Sequence, residues 1–388
     1  MSAEMLALKQ SGVELLIVPR KPHHDFLHED AKQLLPNSVF LPMLSGKILI
    51  AMVATLFTRR EAWRALFDII RKSGFSVALL KNLGVFPKAL YVAGLFAREQ
   101  VGHVHAHWGS STSTMAYVAS RLNLIPWSMT LHRWDITENN MLPEKADRAS
   151  FVRCIAIDGF EEFKSIVGEE RSKKGHVLHM GVDLPPSSGR TFSRGTRFTI
   201  CCPANLVPKK GHTYLLKAMA LIKSDNSSIR CLIIGDGPLD QQLRREAQQL
   251  GLTGQVDFVG RLPHNELLRR YSHREIDAVV LPSIVLDDGE REGIPVSLME
   301  AMAHEVPVIS TACGGTWELL QDGAGIIVEQ KDPEGLSRAI ESLSADSQLY
   351  RDVSEAGRLR IEESFSMQSV TTSLTGLMRS SHYEPTAT

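Results

Sequence analysis

Short apolar runs of strand length alternate along this chain with longer segments whose apolar residues recur at helical spacing. A first series of expected strands is Glu14–Val18, Val101–Ala106, Trp127–Leu131, Cys154–Ile157 and Val177–Leu178. A second is Thr199–Cys202, Cys231–Ile234, Val256–Val259, Ala278–Leu281, Pro307–Ser310 and Gly325–Val328. Many are apolar at every position, as parallel strands buried on both faces are. The segments between them, such as Tyr214–Ile222 and Leu239–Leu250, read as helices. Such alternation predicts an α/β chain with parallel sheets. Between the two series, Asp183–Arg197 is rich in Pro, Ser, Gly and Arg and lacks periodicity, the mark of a linker. The expected division is a first domain over 1–185, a linker over 186–197 and a second domain over 198–364, with 365–388 returning to complete the first.

Composition narrows the class. The 388 residues suffice for two domains with separate cores. Lys plus Arg number 43 against 44 Asp plus Glu, so no global field favours nucleic acid. The cysteines, Cys154, Cys201, Cys202, Cys231 and Cys313, sit mostly in strand-like runs and lack framework spacing. They read as buried thiols of a reducing compartment. The start, MSAEMLALKQSG, lacks the pattern of a signal peptide. The longest apolar stretch, Leu41–Phe57, is interrupted by Ser45, Gly46, Lys47 and Thr55 and falls short of a membrane span. The expected location is the cytoplasm, with a peripheral contact at the inner membrane face left open.

Chemistry concentrates in the second half. In Glu292-Gly-Ile-Pro-Val-Ser-Leu-Met-Glu300, Pro295 suits a first helical turn, and the preceding chain runs from a strand end through a polar loop. Ligands of open α/β sheets bind at the carboxyl ends of strands, and helix N-termini favour anions. Glu292 can accept hydrogen bonds from sugar hydroxyls, and Glu300 from a ribose diol. The competing reading makes Glu292 a helix cap and Glu300 a solvated surface residue. In Ala204-Asn-Leu-Val-Pro-Lys-Lys-Gly-His, Lys210 and Gly211 stand where a helix begins, placed to neutralise a diphosphate. An exposed basic loop is the alternative. Leu232-Ile-Ile-Gly-Asp-Gly-Pro-Leu reads as a tight strand-to-helix turn with a structural role, since Asp240 replaces the third glycine of a dinucleotide fingerprint.

Taken in order, NLVPKKGH, IGDGP, VDFVGRL, LPS, EGIPVSLMEAMAHEVPVIST and GG-x-x-EL resemble the retaining glycosyltransferases of the GT-B fold, family 4 type, as found among bacterial exopolysaccharide and colanic-acid-type transferases. The resemblance is strong from about Thr199 to Val328 and looser before. It implies two Rossmann-like domains with parallel sheets facing across a cleft. It implies that Glu292 contacts the donor sugar, with Gly293, Ile294 and Pro295 beside sugar and diphosphate. Glu300 would hold the ribose, Lys210 the diphosphate, and Arg261 and Leu262 would flank the base. The expected reaction moves a sugar from a UDP-, GDP- or ADP-sugar to a saccharide or lipid-linked saccharide, with retention and without a metal or other cofactor. The competing function is a catalytically impaired or truncated homologue that binds nucleotide or carbohydrate beside an active transferase.

The first half is less regular. His103, His105 and His107 share one strand face by the period of two, and a polar strand end is preferred there to a metal site. Thr130-Leu-His-Arg-Trp-Asp resembles a T-x-H-x-x-D segment of the family, which implies that His132 points toward the donor sugar and that Asp135 orders the loop. A satisfied strand-end histidine is the alternative. Asn205 stands where the family has arginine, and Arg133 is expected to supply part of that missing charge. The resemblance would put an opening strand and a glycine loop ahead of the first helix, but Met1–Gly12 already reads as that helix, so both are expected to be missing. In Arg59–Lys72, Trp63, Phe67 and Ile70 fall on one helical face flanked by Arg60, Arg64 and Arg71. That face suits either packing on the sheet, which is preferred, or an anionic membrane surface.

Overall fold

The computed structural model describes residues 1–21, 29–187, 189, 197–222 and 228–381. The chain divides into two compact units, Met1–Met180 with the stretch from Val370 onward, and Gly181–Ser369. Of the expected linker 186–197, residues 188 and 190–196 lie outside the described residues.

The first unit holds a parallel sheet of β1 (Val104–His107), β2 (Trp127–Leu131), β3 (Phe151–Cys154) and β4 (Gly175–Val177), in the order β1-β2-β3-β4. Met129, Leu131, Val152 and Cys154 are fully buried in its core, as all-apolar strands between helices must be. Helix Val77–Arg98 is long and apolar enough by length and composition to cross a membrane, yet Val85, Phe86, Ala89, Leu90 and Ala93 are core residues of this unit. Its Lys88 is buried, and Nζ donates to the carbonyls of Pro19, Arg20 and Leu41 at 2.7, 2.9 and 2.9 Å. Three carbonyls replace the water that an ammonium loses on burial, which still lowers its pKa to about 8.

Two sequence expectations are corrected here. Glu14–Val18 forms no strand of the sheet. Ile17 instead makes an isolated bridge to Ser38, donating to Asn37 O and accepting from Val39 N, both at 2.8 Å. A cavity of about 110 Å³, lined by Leu16, Val18, Val104, Ala106 and Phe96, lies between that segment and β1. Cys154–Ile157 shifts to Phe151–Cys154 because Ile157 already opens helix Ile157–Val167.

A buried ion pair ties the start of the chain to the sheet. Arg153 on β3 donates to Glu4 Oε2 at 2.8 Å and to Leu178 O at 2.7 Å, with neither charged side chain reaching solvent. Removing one partner of such a pair leaves an uncompensated interior charge. Glu4→Ala is therefore expected to destabilise this unit by about 3 kcal/mol or more, and Glu4→Gln by clearly less. Denaturant unfolding of the two variants side by side measures the difference.

The second unit holds a six-stranded parallel sheet. Its strands are β5 (Phe198–Pro203), β6 (Ile229–Ile234), β7 (Val256–Gly260), β8 (Ala278–Leu281), β9 (Val308–Thr311) and β10 (Ile326–Val328), in the order β10-β9-β8-β5-β6-β7. Each lies within one or two residues of its expected run. From β5 the chain winds outward through β6 and β7, then returns to the other side of β5 at β8. The reversal between β5 and β8 opens the crevice where such sheets bind ligands. All five cysteines are buried free thiols, and burial alone pushes Cys154 up to about 12.

Candidate functional site

The carboxyl ends of β5 and β8 set the geometry of the second unit. After β5 the chain makes a single turn, Pro208–Lys210, and reaches Gly211, which caps helix His212–Leu221. Gly211 has φ +69°, and a Cβ there would fall 1.9 Å from Pro282 O, just past β8. Only glycine allows the two strand ends to approach so closely. The result brings Lys210 Nζ to 2.8 Å from Glu292 Oε2. Glu292 is 8% exposed, and its other oxygen, Oε1, is buried without a hydrogen-bond donor among the described residues. An acceptor so placed favours an incoming hydroxyl, because an unsatisfied carboxylate oxygen is costly away from water.

Glu292 therefore pairs with a lysine instead of capping the helix. Pro295 occupies the N-cap, one residue before the helix Val296–Ala303. Glu300 lies on that helix with Oε1 2.7 Å from His264 Nε2, and its side chain is mostly buried, so it is not a solvated surface residue. Arg261 is exposed and Leu262 half-buried in the loop leaving β7. Asn205 is exposed after β5, its carbonyl accepting from Val207 N at 2.9 Å. Every site residue expected in this half stands on a loop or helix that follows the carboxyl end of a strand.

Close backbone packing supports these loops. A Cβ on Gly235 or Gly237 would fall 2.1 Å from Ala204 O or 2.6 Å from Leu206 O, so the turn after β6 bears directly on the Lys210 loop. This gives the Gly-Asp-Gly-Pro turn its expected structural role. Gly314, at φ +57°, would place a Cβ 1.9 Å from Glu292 O, and Gly315 one 2.7 Å from Ile294 Cγ1. Gly314, Gly315 and His264 were not singled out as site residues. The paired glycines stood in the GG-x-x-EL string, whereas nothing local marks His264 as the partner of Glu300.

In the first unit, His132 caps helix Arg133–Glu138, its backbone N–H donating to Asp135 Oδ2 at 2.9 Å. Asp135 thus orders the loop as expected. Trp108, in the left-handed region at φ +83°, stacks on His132 with ring centroids 4.2 Å apart. The three β1-side histidines divide differently from one another. His105 meets Ser128 Oγ at 2.7 Å and Thr130 Oγ1 at 2.9 Å, and His103 also meets Ser128 Oγ at 2.7 Å. His107 lies 3.9 Å from Glu4 Oε1.

Burial, helped by His107 and Arg153, lowers the His132 pKa to about 4, and burial also takes His107 to about 4. The unfolded chain binds these protons near pH 6.5 and the folded one does not, so the contribution of these two histidines to folding stability falls as pH drops from about 6.5 toward 4. Thermal unfolding at successive pH values is expected to show a decline below about pH 6.5 that His132→Phe and His107→Phe together reduce.

With this geometry in place, residues 187–360 match the model of a family described as glycosyl transferases group 1. The matched stretch lies within the second unit and covers a little under half of the chain. WcaL of Escherichia coli (strain K12), named for colanic acid biosynthesis, is 32% identical over 206 residues, 52% of this chain and 50% of that one. The amylovoran biosynthesis glycosyltransferase AmsK of Erwinia amylovora is 34% identical over 163 residues, 42% of this chain and 40% of that one. The chain spans about half the length of WcaL, and less of AmsK. A glycosyltransferase from Rickettsia africae superposes with a TM-score of 0.67 at 16% identity, over 99% of this chain and 95% of that one. HepE of Anabaena, in complex with UDP, does so with a TM-score of 0.63 at 19% identity, over 76% and 82%. These likenesses give the fold, GT-B with two parallel-sheet units.

Proposed function

We propose that this chain transfers a sugar from a nucleoside-diphosphate sugar to a hydroxyl of a saccharide or lipid-linked saccharide, retaining the anomeric configuration and using no metal. The observation that carries this reading is Glu292, which holds Lys210 with one oxygen and offers the other, buried and without a donor, at the crevice between β5 and β8. Lys210 and the start of helix His212–Leu221 would take the diphosphate, and Glu300 the ribose. Glu292 would receive a sugar hydroxyl at Oε1 while orienting the lysine. The charge that develops on the departing diphosphate meets an ammonium already fixed in place, which lowers the barrier without reorganisation. The acceptor would attack on the leaving-group face, its proton passing to the leaving phosphate, and His132 would orient the sugar. A neutral imidazole, as burial enforces, suits that role.

Names of relatives support the donor and acceptor classes: HepE was crystallised with UDP, and WcaL and AmsK are named for polysaccharide biosynthesis. A binding-only partner of an active transferase is the second reading. It is favoured by Asn205 at a diphosphate position and by Glu14–Val18 standing outside the sheet.

Calorimetric titration with UDP, GDP and ADP tests the donor site. One nucleotide should bind, and Glu300→Ala should weaken it about tenfold or more, the worth of hydrogen bonds to a charged acceptor. Arg133→Ala should weaken it further if that side chain supplements the phosphate charge. A folded chain that binds none of the three would sink the donor-site assignment. Binding without sugar transfer in any acceptor assay would favour the second reading.

A further inference from the structure

The largest apolar side chains of the segment around helices Gly46–Thr58 and Arg60–Ser73 face outward. Trp63 is 56% exposed, Phe67 61% and Phe57 88%, whereas the residues turned inward on the second helix are Ala62, Ala65 and Ile69. The preferred expectation that Trp63, Phe67 and Ile70 pack on the sheet is therefore overturned. Ile50, Phe75 and Leu80 extend the same exposed character into the neighbouring helix and turn. The corner between the two helices is rigid, because Trp63 Nε1 donates to Leu56 O at 2.8 Å. A soluble surface seldom carries so many large apolar groups together unless they meet something.

Charge selects the partner. From Leu44 to Lys81 there are seven basic residues, Lys47, Arg59, Arg60, Arg64, Arg71, Lys72 and Lys81, against two acidic ones, Glu61 and Asp68. Glu61 is shared between Arg121, at 3.0 Å from Oε2, and Arg64, while Asp68 pairs with Arg121. Lys72 and Lys81 pair with Glu144 and Glu138 from outside the segment. Exposed aromatic rings flanked by a net excess of cations, with Lys47, Arg60 and Arg71 outside any ion pair among the described residues, match the boundary between anionic headgroups and acyl chains. The first helix, at 13 residues, is too short to span.

We infer that this face docks the chain on an anionic lipid bilayer, with Phe57, Trp63 and Phe67 inserted and the basic side chains at headgroup level. The inference deepens the transferase reading, by giving the surface on which a lipid-linked acceptor is met, but its evidence is independent of the donor site.

The test is sedimentation of the full chain with vesicles of phosphatidylglycerol and phosphatidylcholine in equal parts, and with phosphatidylcholine alone. The chain should pellet with the anionic vesicles, less so at high salt. Phe57→Asp/Phe67→Asp should lower the bound fraction about tenfold or more, and Arg60→Glu/Arg64→Glu should act similarly on anionic vesicles only. These positions are exposed, and unchanged melting of the variants would verify folding. A wild-type chain that stays in the supernatant overturns the inference, as does a double aspartate variant that pellets like wild type. Concentration-dependent dimers abolished by the same aspartates, without vesicle binding, would assign the face to a second copy. Nucleotide titration of the same samples without vesicles keeps failure here distinct from failure of the donor site.

Discussion

Lys210→Ala is expected to lower affinity for the preferred nucleoside diphosphate about a hundredfold, because one charge-assisted contact to phosphate is worth about 2–3 kcal/mol. The side chain is held 2.8 Å from Glu292 and is largely shielded from solvent, so its ammonium is fixed in place. The neighbouring Lys209 is engaged by Glu290 at 2.9 Å. Glu292→Gln makes a contrasting case. The amide keeps the shape and one acceptor but loses the charge that fixes Lys210. Nucleotide affinity should change only a few-fold, while transfer from the intact nucleotide-sugar should fall about a hundredfold or more, as when one aligned group is removed from a charge-stabilising site. Combining the two substitutions should cost less than the sum of the single losses, since each disrupts the same pair. Equal nucleotide affinity in wild type and Lys210→Ala would remove the lysine from the phosphate site.

Gly211→Ala should be among the most damaging one-atom changes in the second unit. Its Cβ would meet the backbone oxygen of Pro282 at 1.9 Å, and the φ of +69° is itself unfavourable for alanine. No rotamer change relieves a clash with backbone, so the loop after β5 must withdraw from the end of β8. A loss of about 3 kcal/mol in unfolding free energy is expected, together with weaker nucleotide binding as Lys210 moves away from Glu292. Gly289→Ala supplies the comparison. That glycine has φ +81°, with no atom within 4 Å of the added carbon, so only the conformational cost of about 1 kcal/mol applies. Denaturant unfolding of the two variants separates steric from conformational effects. Similar losses in both would show that the β5 and β8 ends tolerate separation.

The second unit was legible because its information is local. An all-apolar run such as Ala278–Leu281 admits little but a buried strand, and the observed β8 has those same ends. Lys210 and Glu292 were each found from their own surroundings, one by its place before a helix and one by the loop after a strand. Their pairing was not legible, since 82 residues separate them and only the sheet order brings β5 and β8 together. The first unit was read less well for two physical reasons. Periodicity shows which residues share a helical face but not whether that face turns inward, so Trp63 and Phe67 were assigned to the wrong side. Composition likewise cannot reveal what a short extended segment pairs with, and Ile17 pairs with the chain around Ser38 and not with β1. The salt bridge from Glu4 to Arg153 joins residues 149 apart and left no local trace.

The first unit is discontinuous in sequence, and that governs the order in which the polypeptide can mature. Leu374, on the helix Met367–Ser380, is buried with Leu8 and Phe151, so residues from both ends of the chain share one apolar cluster. During synthesis from N- to C-terminus, residues 181–369 can emerge and close as an uninterrupted unit while the first still lacks its last helix. Until Leu374 has emerged from the ribosome, Leu8 and Phe151 lack the partner that buries them. A nascent chain of this protein therefore passes through a stage with its second unit closed and its first unit open, a stage that exposes apolar surface to chaperones.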